Sequence, residues 1–211
     1  MIKEKLRDVT NKIWDRNRKK INKKYRSELK NKDFTIFSCN CTGGVLYHDL
    51  GMKFLSPTIN LYMSCEDFIK FCENPKKYLS FEMKEYNGNI VREYPLAQLG
   101  DLILYLVHYN SVDEASQKWN ERKQRINWDN IFVIGTNRDG FNDELSRRFD
   151  ALPYHKVLFT NLPDSNPNHF YIKGYENENM VGTIVEHTDR ISGKRVYDQF
   201  DWISFLNGKI N

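Results

Sequence analysis

The sequence is short of the features that mark fibrous, exported and membrane-embedded chains. Six prolines and eleven glycines in 211 residues exclude a collagenous or low-complexity protein. No run approaches the roughly 18 to 20 consecutive apolar residues that a membrane-spanning helix needs, and the first residues lack the apolar core of a secretory signal. The expected compartment is therefore the cytoplasm. Four cysteines, Cys39, Cys41, Cys65 and Cys72, are expected to stay reduced there, so no disulfide framework is anticipated. Their spacings miss the paired Cys-x2-Cys pattern of structural zinc sites, and neither a metal nor a cofactor is expected.

What is present reads as globular: 40% hydrophobic, 14% aromatic and 28% charged residues. A chain of this length can bury about 70% of its extended surface, enough for one sizeable core. The net charge of +4 hides an asymmetry. Residues 1–32 hold 13 Lys/Arg against 4 Asp/Glu, or +9, while the other 179 residues hold 19 against 24, or −5.

Within residues 1–32, Leu6, Val9, Ile13, Ile21, Tyr25 and Leu29 recur mostly at helical spacing among Lys and Arg, with no Pro or Gly to interrupt them. Trp14 widens the apolar side and Asn17 interrupts it. The pattern predicts a basic amphipathic helix. It suits packing on the domain, or peripheral contact with an anionic membrane face. Nucleic acid is not the expected partner, because the rest of the chain is acidic and carries no aromatic-rich RNA-binding signature.

From residue 33 to 211 the reading is one α/β domain. Residues 34–38, 59–63, 102–107, 131–135 and 156–160 are short apolar runs expected as strands, with 102–107 as the central one. Helices are expected over 45–50, 66–72 behind a Ser64 cap, 112–125 behind a Ser111 cap, and 141–149. Residues 80–94 read as irregular or as an antiparallel hairpin around Asn87-Gly88, with a strand expected over 180–185 and a closing helix over 198–206. The alternation predicts a mostly parallel sheet with helices on both faces, in three layers, plus the amino-terminal helix.

Ligands of open parallel sheets bind outside the carboxyl ends of the strands. Those ends carry Cys39 and Cys41, His108, Asn137 with Asp139, and Asn161. The turn Asn40-Cys41-Thr42-Gly43-Gly44 offers close backbone approach and free amides to an anion, or places Cys41 as a nucleophile at a helix start. The plainer alternative is a tight turn with inert thiols. A Cys41–His108 pair oriented by Asp101 or Asp139 suits acyl or thiol chemistry, and Asn137 would orient substrate. Trp119 and Arg122, on the basic-aromatic stretch WNERKQRIN, suit stacking on a sugar and gripping a diphosphate; the alternative is that Trp119 anchors its helix to the sheet.

The segments SCNCTGGVLYHDLGMKFLSPTINLYM, YPLAQLGDLILYLVHYNSVDEASQKWNERKQRINWDNIFVI and KVLFT, in that order over residues 34–201, resemble the DUF1919 family, often described as exopolysaccharide biosynthesis proteins. The turn reads Ser38-Cys39-Asn40-Cys41 where many relatives carry Asn at the position of Cys39, which leaves Cys41 as the candidate. The resemblance implies a cytoplasmic role in bacterial exopolysaccharide or capsule biosynthesis, at the inner face of the membrane if the basic helix binds there. The expected activity is a transferase acting on a sugar nucleotide or a lipid-linked glycan. The alternative is a non-catalytic module that binds glycan intermediates or partners through its basic arm.

Overall fold

The structure, a computed structural model, describes residues 2–209, with side chains from Arg7 onward. Four parallel strands, β1 (Thr35–Ser38), β5 (Ile131–Thr136), β6 (His155–Thr160) and β7 (His169–Tyr171), form a sheet in the order β1-β5-β6-β7. Thr35 pairs with Ile131, Val133 with Lys156, and Leu158 with His169. Successive side chains of a strand point to opposite faces, and both faces here are apolar. Phe37, Ile131, Val133 and Leu158 enter one core with α3 (Cys65–Glu73), α5 (Val112–Lys123) and α6 (Asp143–Asp150). Ile36, Phe132, Ile134, Val157 and Phe159 enter the other with α2 (Thr42–Leu50) and α7 (Trp202–Leu206). The sheet is thus covered by helices on both faces.

A second sheet, antiparallel, has the order β2 (Lys84–Glu85), β3 (Leu96–Leu99) and β4 (Leu102–Tyr105). The run over 102–107 is therefore not the central parallel strand that its apolar content suggests. Leu99 pairs with Leu102, so Gly100-Asp101 is a two-residue hairpin turn, with Gly100 at φ +64°. Leu102 and Leu104 are buried while Ile103 and Tyr105 are only half-buried, the alternation of a one-sided sheet. Residues 59–63 make no strand beyond one bridge, Tyr62 to Tyr105, which fastens them to β4. Asn87-Gly88 lies in the irregular loop between β2 and β3, which pair antiparallel on either side of it, so the turn is longer than two residues. Residues 180–185 are irregular, and a 3-10 turn over Val196–Gln199 interrupts the expected closing helix before α7.

Helix caps follow the local chemistry. Ser64 accepts from the Asp67 amide, Ser111 from Glu114 and Asn142 from Leu145, each fixing a helix start. Asn74 caps α4 (Pro75–Ser80), where Pro75 occupies a first-turn position that needs no amide hydrogen.

The first helix, α1 (Ile2–Glu28), lies on the body by only part of its apolar stripe: Tyr25 packs against the second core and Leu29, just past the helix, is buried in it. Val9 and Ile13 are exposed, and Leu6 lies outside the described side chains. Trp14, Arg18 and Asn22, one turn apart, are the buried face. The reason is what they meet. Arg18 donates to Asp49 at 2.6 Å and Asp198 at 2.5 Å, Asn22 to Asp49 at 2.9 Å, and Tyr25 to Asp198 at 3.0 Å. Tyr197 also donates to Asp49. Burial alone would raise the Asp49 pKa, but the Tyr197 bond and Arg18 outweigh it and hold the carboxyl below its ordinary value. Among the described residues no helix is long and apolar enough to cross a membrane.

Candidate active site at the carboxyl edge of the parallel sheet

Beyond β1 the chain turns sharply into α2. The Asn40 side-chain oxygen accepts from the Thr42 amide at 3.0 Å and the Thr42 hydroxyl at 2.7 Å, while Ser38 donates to the Asn40 carbonyl at 3.0 Å. This Asx turn starts the helix and leaves Cys41 at its N-cap, without a side-chain cap bond. Gly43 and Gly44 serve packing. A Cβ on Gly43 would sit 3.0 Å from both Ile36 and Ser38, and one on Gly44 would sit 3.3 Å from Ile59, so the helix start is pressed onto β1 and its neighbour. Their missing side chains face protein and not an open ligand surface.

Cys39 and Cys41 point into different worlds. Cys39 is buried with its sulfur 3.6 Å from the Thr136 hydroxyl, and burial pushes its thiol up to about 11. Cys41 is half-buried, with Sγ 3.2 Å from His108 Nε2. Burial raises its thiol too, so the resting sulfur carries its proton.

His108 reaches this place from the small sheet. The turn after β4 is closed by the Tyr109 amide bonding the Leu106 carbonyl at 3.0 Å, and buried Leu106 and Tyr109 leave Val107 and His108 facing outward. Tyr109 in turn donates to the Ile59 carbonyl at 2.8 Å and accepts from Arg122 at 2.7 Å. Arg122, expected to grip substrate, is buried under this turn and supports it. Trp119 is likewise in the core, its ring 6.0 Å from that of Phe71. Neither lines a cavity at this edge. Asp101 sits in the hairpin turn at the far end of β4, exposed and held below its ordinary pKa by the Tyr78 hydroxyl, so it does not orient His108.

A cleft of about 380 Å³ opens over the Cys41–His108 contact, walled by Val45, Val107, Ile184 and Val185. A second cavity of about 370 Å³ adjoins it, sharing Tyr62, Val107 and Arg138, and adds Arg92, Tyr94 and Tyr105. Asp139, at φ +57°, accepts from the Tyr62 hydroxyl at this boundary. Burial first, and then this bond, raise the Tyr62 phenol beyond its ordinary value. Asn137 is committed elsewhere: it donates to Asn161 at 2.7 Å and accepts from the Val181 amide at 2.9 Å. It thereby holds the segment that leads to the cleft wall at Ile184. Arg138, not singled out by its sequence position, is the cation of the site. Its guanidinium has no hydrogen bond or ion pair among the described residues, and its Nε is buried without a partner. Among the described residues no three His, Cys, Asp or Glu side chains are grouped to hold a metal ion.

A mostly apolar cleft with one arginine and a thiol–imidazole pair can bind an anion and move a proton at sulfur. The comparisons agree with the motif-level resemblance and extend it. The family model described as a domain of unknown function, DUF1919, matches residues 12–207, which takes in most of α1 as well as the α/β body. An uncharacterized protein of Haemophilus influenzae is 37% identical over 206 residues, spanning 97% of each chain. The chain belongs to the DUF1919 family.

Proposed function

We propose that the chain is a group transferase of bacterial surface-polysaccharide assembly, acting in this cleft on a sugar nucleotide or a lipid-linked glycan. The observation that carries the reading is the 3.2 Å contact of Cys41 with His108 beside Arg138, which makes no ion pair among the described residues. Arg138 and Arg92 hold the phosphate of the donor, because a guanidinium offers forked donors that match phosphate oxygens. Tyr94 and Tyr105 offer faces for a sugar or base. His108 takes the Cys41 proton and passes it to the leaving phosphate, while the thiolate bonds to the donor carbon that the phosphate leaves. An acceptor hydroxyl then displaces the sulfur, and its proton returns through His108 to Cys41. Acid, base and nucleophile all come from the chain, so the step needs no cofactor.

The test is a melting screen against nucleotides, nucleotide sugars and sugar phosphates, run on the native chain and on Arg138→Ala. A ligand at about 100 times its Kd adds roughly 2.7 kcal/mol, a rise of about 5 to 11 °C for this size. One phosphorylated class should produce that rise, and Arg138→Ala should remove it. On that donor, Cys41→Ser and His108→Ala should each cut turnover about 10²- to 10⁴-fold at unchanged melting temperature. A flat screen, or full turnover by Cys41→Ser, overturns the reading.

A further inference from the structure

We propose that the outward face of α1, together with Ile191 of the adjoining loop, docks on an anionic lipid surface. With Arg18 pointing inward and successive residues turned by roughly 100°, Val9, Lys12, Ile13, Arg16, Lys20, Lys23 and Lys24 fall within about 60° of the outward direction. All of these are exposed and none is acidic; Asp8 and Asp15 sit on the flank nearer the body. Of these cations only Lys24 enters an ion pair among the described residues, at 3.9 Å from Glu28.

The aliphatic part of the face is built, not incidental. Val9 is 55% exposed, Ile13 41% and Ile191 55%, so about half of each side chain stands in water. Asn17, one turn beyond Ile13, donates to the Ile191 carbonyl at 2.7 Å and brings Ile191 alongside. The loop itself is folded around Asp189, which accepts from the Ile191 amide at 2.7 Å and the Ser192 amide at 2.6 Å. Gly193, at φ +77°, lies so close to α1 that a Cβ there would be 2.3 Å from the Arg18 amide nitrogen. Ile191 is thus locked in its exposed place.

A straight helix of 27 residues is about 40 Å long and presents this face along a line, which suits a plane. Aliphatic side chains set among cations match lipid headgroups and the acyl boundary beneath them. A nucleic acid would ask for exposed aromatic faces, and Trp14 is turned inward against His187. The loop from Ile184 to Ile191 runs from the cleft wall to this face, which ties the docking surface to the cleft through one short segment. The docking itself does not depend on the chemistry proposed for the cleft.

The experiment is co-sedimentation of the full chain with vesicles of phosphatidylcholine alone and with about one-third phosphatidylglycerol. Binding is expected only to the anionic vesicles, weakening at least about tenfold from 0.1 to 0.5 M salt. Replacing Lys12, Arg16, Lys20 and Lys23 together by Gln should cost about tenfold or more, and Val9→Ser with Ile13→Ser a few-fold, at unchanged melting temperature. Equal binding to both vesicles, no binding to either, or displacement from anionic vesicles by a short RNA at a lower concentration than the lipid overturns the proposal. The nucleotide-sugar screen reads the cleft separately, so failure of one leaves the other standing.

Discussion

Arg18 and Arg138 belong to two polar regions of one molecule, the seam beneath α1 and the cleft at the carboxyl edge, and both leave Nε without a partner. Their terminal nitrogens differ. Those of Arg18 are filled by Asp49, Asp198 and Tyr197, whereas those of Arg138 make no ion pair among the described residues and face two adjoining cavities. A buried cation whose anions are built into the fold is structural, since removing it strands carboxylates in a low-dielectric place. A half-buried cation with a cavity in front of it and no ion pair among the described residues, its neighbour Asp139 being bonded to Tyr62 instead, leaves room for an anion from outside. The cysteines repeat the lesson two residues apart, Cys39 packed against Thr136 and Cys41 open beside His108.

The sharpest way to break this comparison is to neutralise each arginine at nearly constant volume. Arg18→Met leaves Asp49 and Asp198 without their cation and should cost about 3 to 5 kcal/mol, lowering the melting temperature by roughly 6 to 20 °C. Arg138→Met should stay within about 0.5 kcal/mol of the native chain. Calorimetry on both decides the matter, and equal losses would erase the distinction. The same argument says that α1 cannot be trimmed away as an appendage: deleting it would bare Asp49, which is 1% exposed.

Glycines at the turn sharpen the comparison on a smaller scale. Gly43→Ala puts a methyl 3.0 Å from Ile36 and Ser38. Overpacking costs about 1 to 3 kcal/mol and the gain in helix propensity returns about 1, so a net loss near 1 kcal/mol, or about 2 to 4 °C, is expected. Gly44→Ala meets Ile59 at 3.3 Å and should be close to neutral. Donor-induced shifts should survive in both variants if these glycines serve packing, and vanish if their close approach serves the ligand.

The parallel sheet was legible because each of its longer strands is a continuous apolar run buried on both faces: residues 34–38, 131–135 and 156–160 match β1, β5 and β6 to within a residue or two. The run over 102–107 looks the same in composition, and only the two-residue Gly100-Asp101 turn, read together with residues 96–99, marks it as half of a hairpin. Counting apolar residues placed only part of the inward side: Trp14, Tyr25 and Leu29 do turn to the body, while Val9 and Ile13 do not, because Asp49 and Asp198, remote in sequence, draw Arg18 and Asn22 inward. The Cys41–His108 contact could be anticipated from two strand ends, although His108 arrives by the antiparallel sheet. Arg138 could not. It is one of 32 Lys and Arg residues, and its lack of an ion pair among the described residues exists only in three dimensions.

The smallest expected effect lies where the seam reaches solvent. His187 stacks on Trp14 with ring centroids 3.6 Å apart, and Arg195 lies over the same Trp14 ring at 5.2 Å. Burial against the indole, then Arg195 and Arg18, lower the His187 pKa, while Asp15 and Asp189 oppose the shift. The unfolded chain therefore takes up this proton at a higher pH than the folded one. Stability from this group is present above the ordinary histidine value near 6.5 and is lost as pH falls through the lower folded value. Because His187 is exposed, solvent screens the effect, and between pH 7.5 and 5.5 the melting temperature should fall by only about 1 to 2 °C. His187→Gln should remove that step. The depressed pKa of Asp49 defers loss of the Arg18 network to more acidic solution. A step that persists in His187→Gln would assign the pH sensitivity to another group and detach it from the seam.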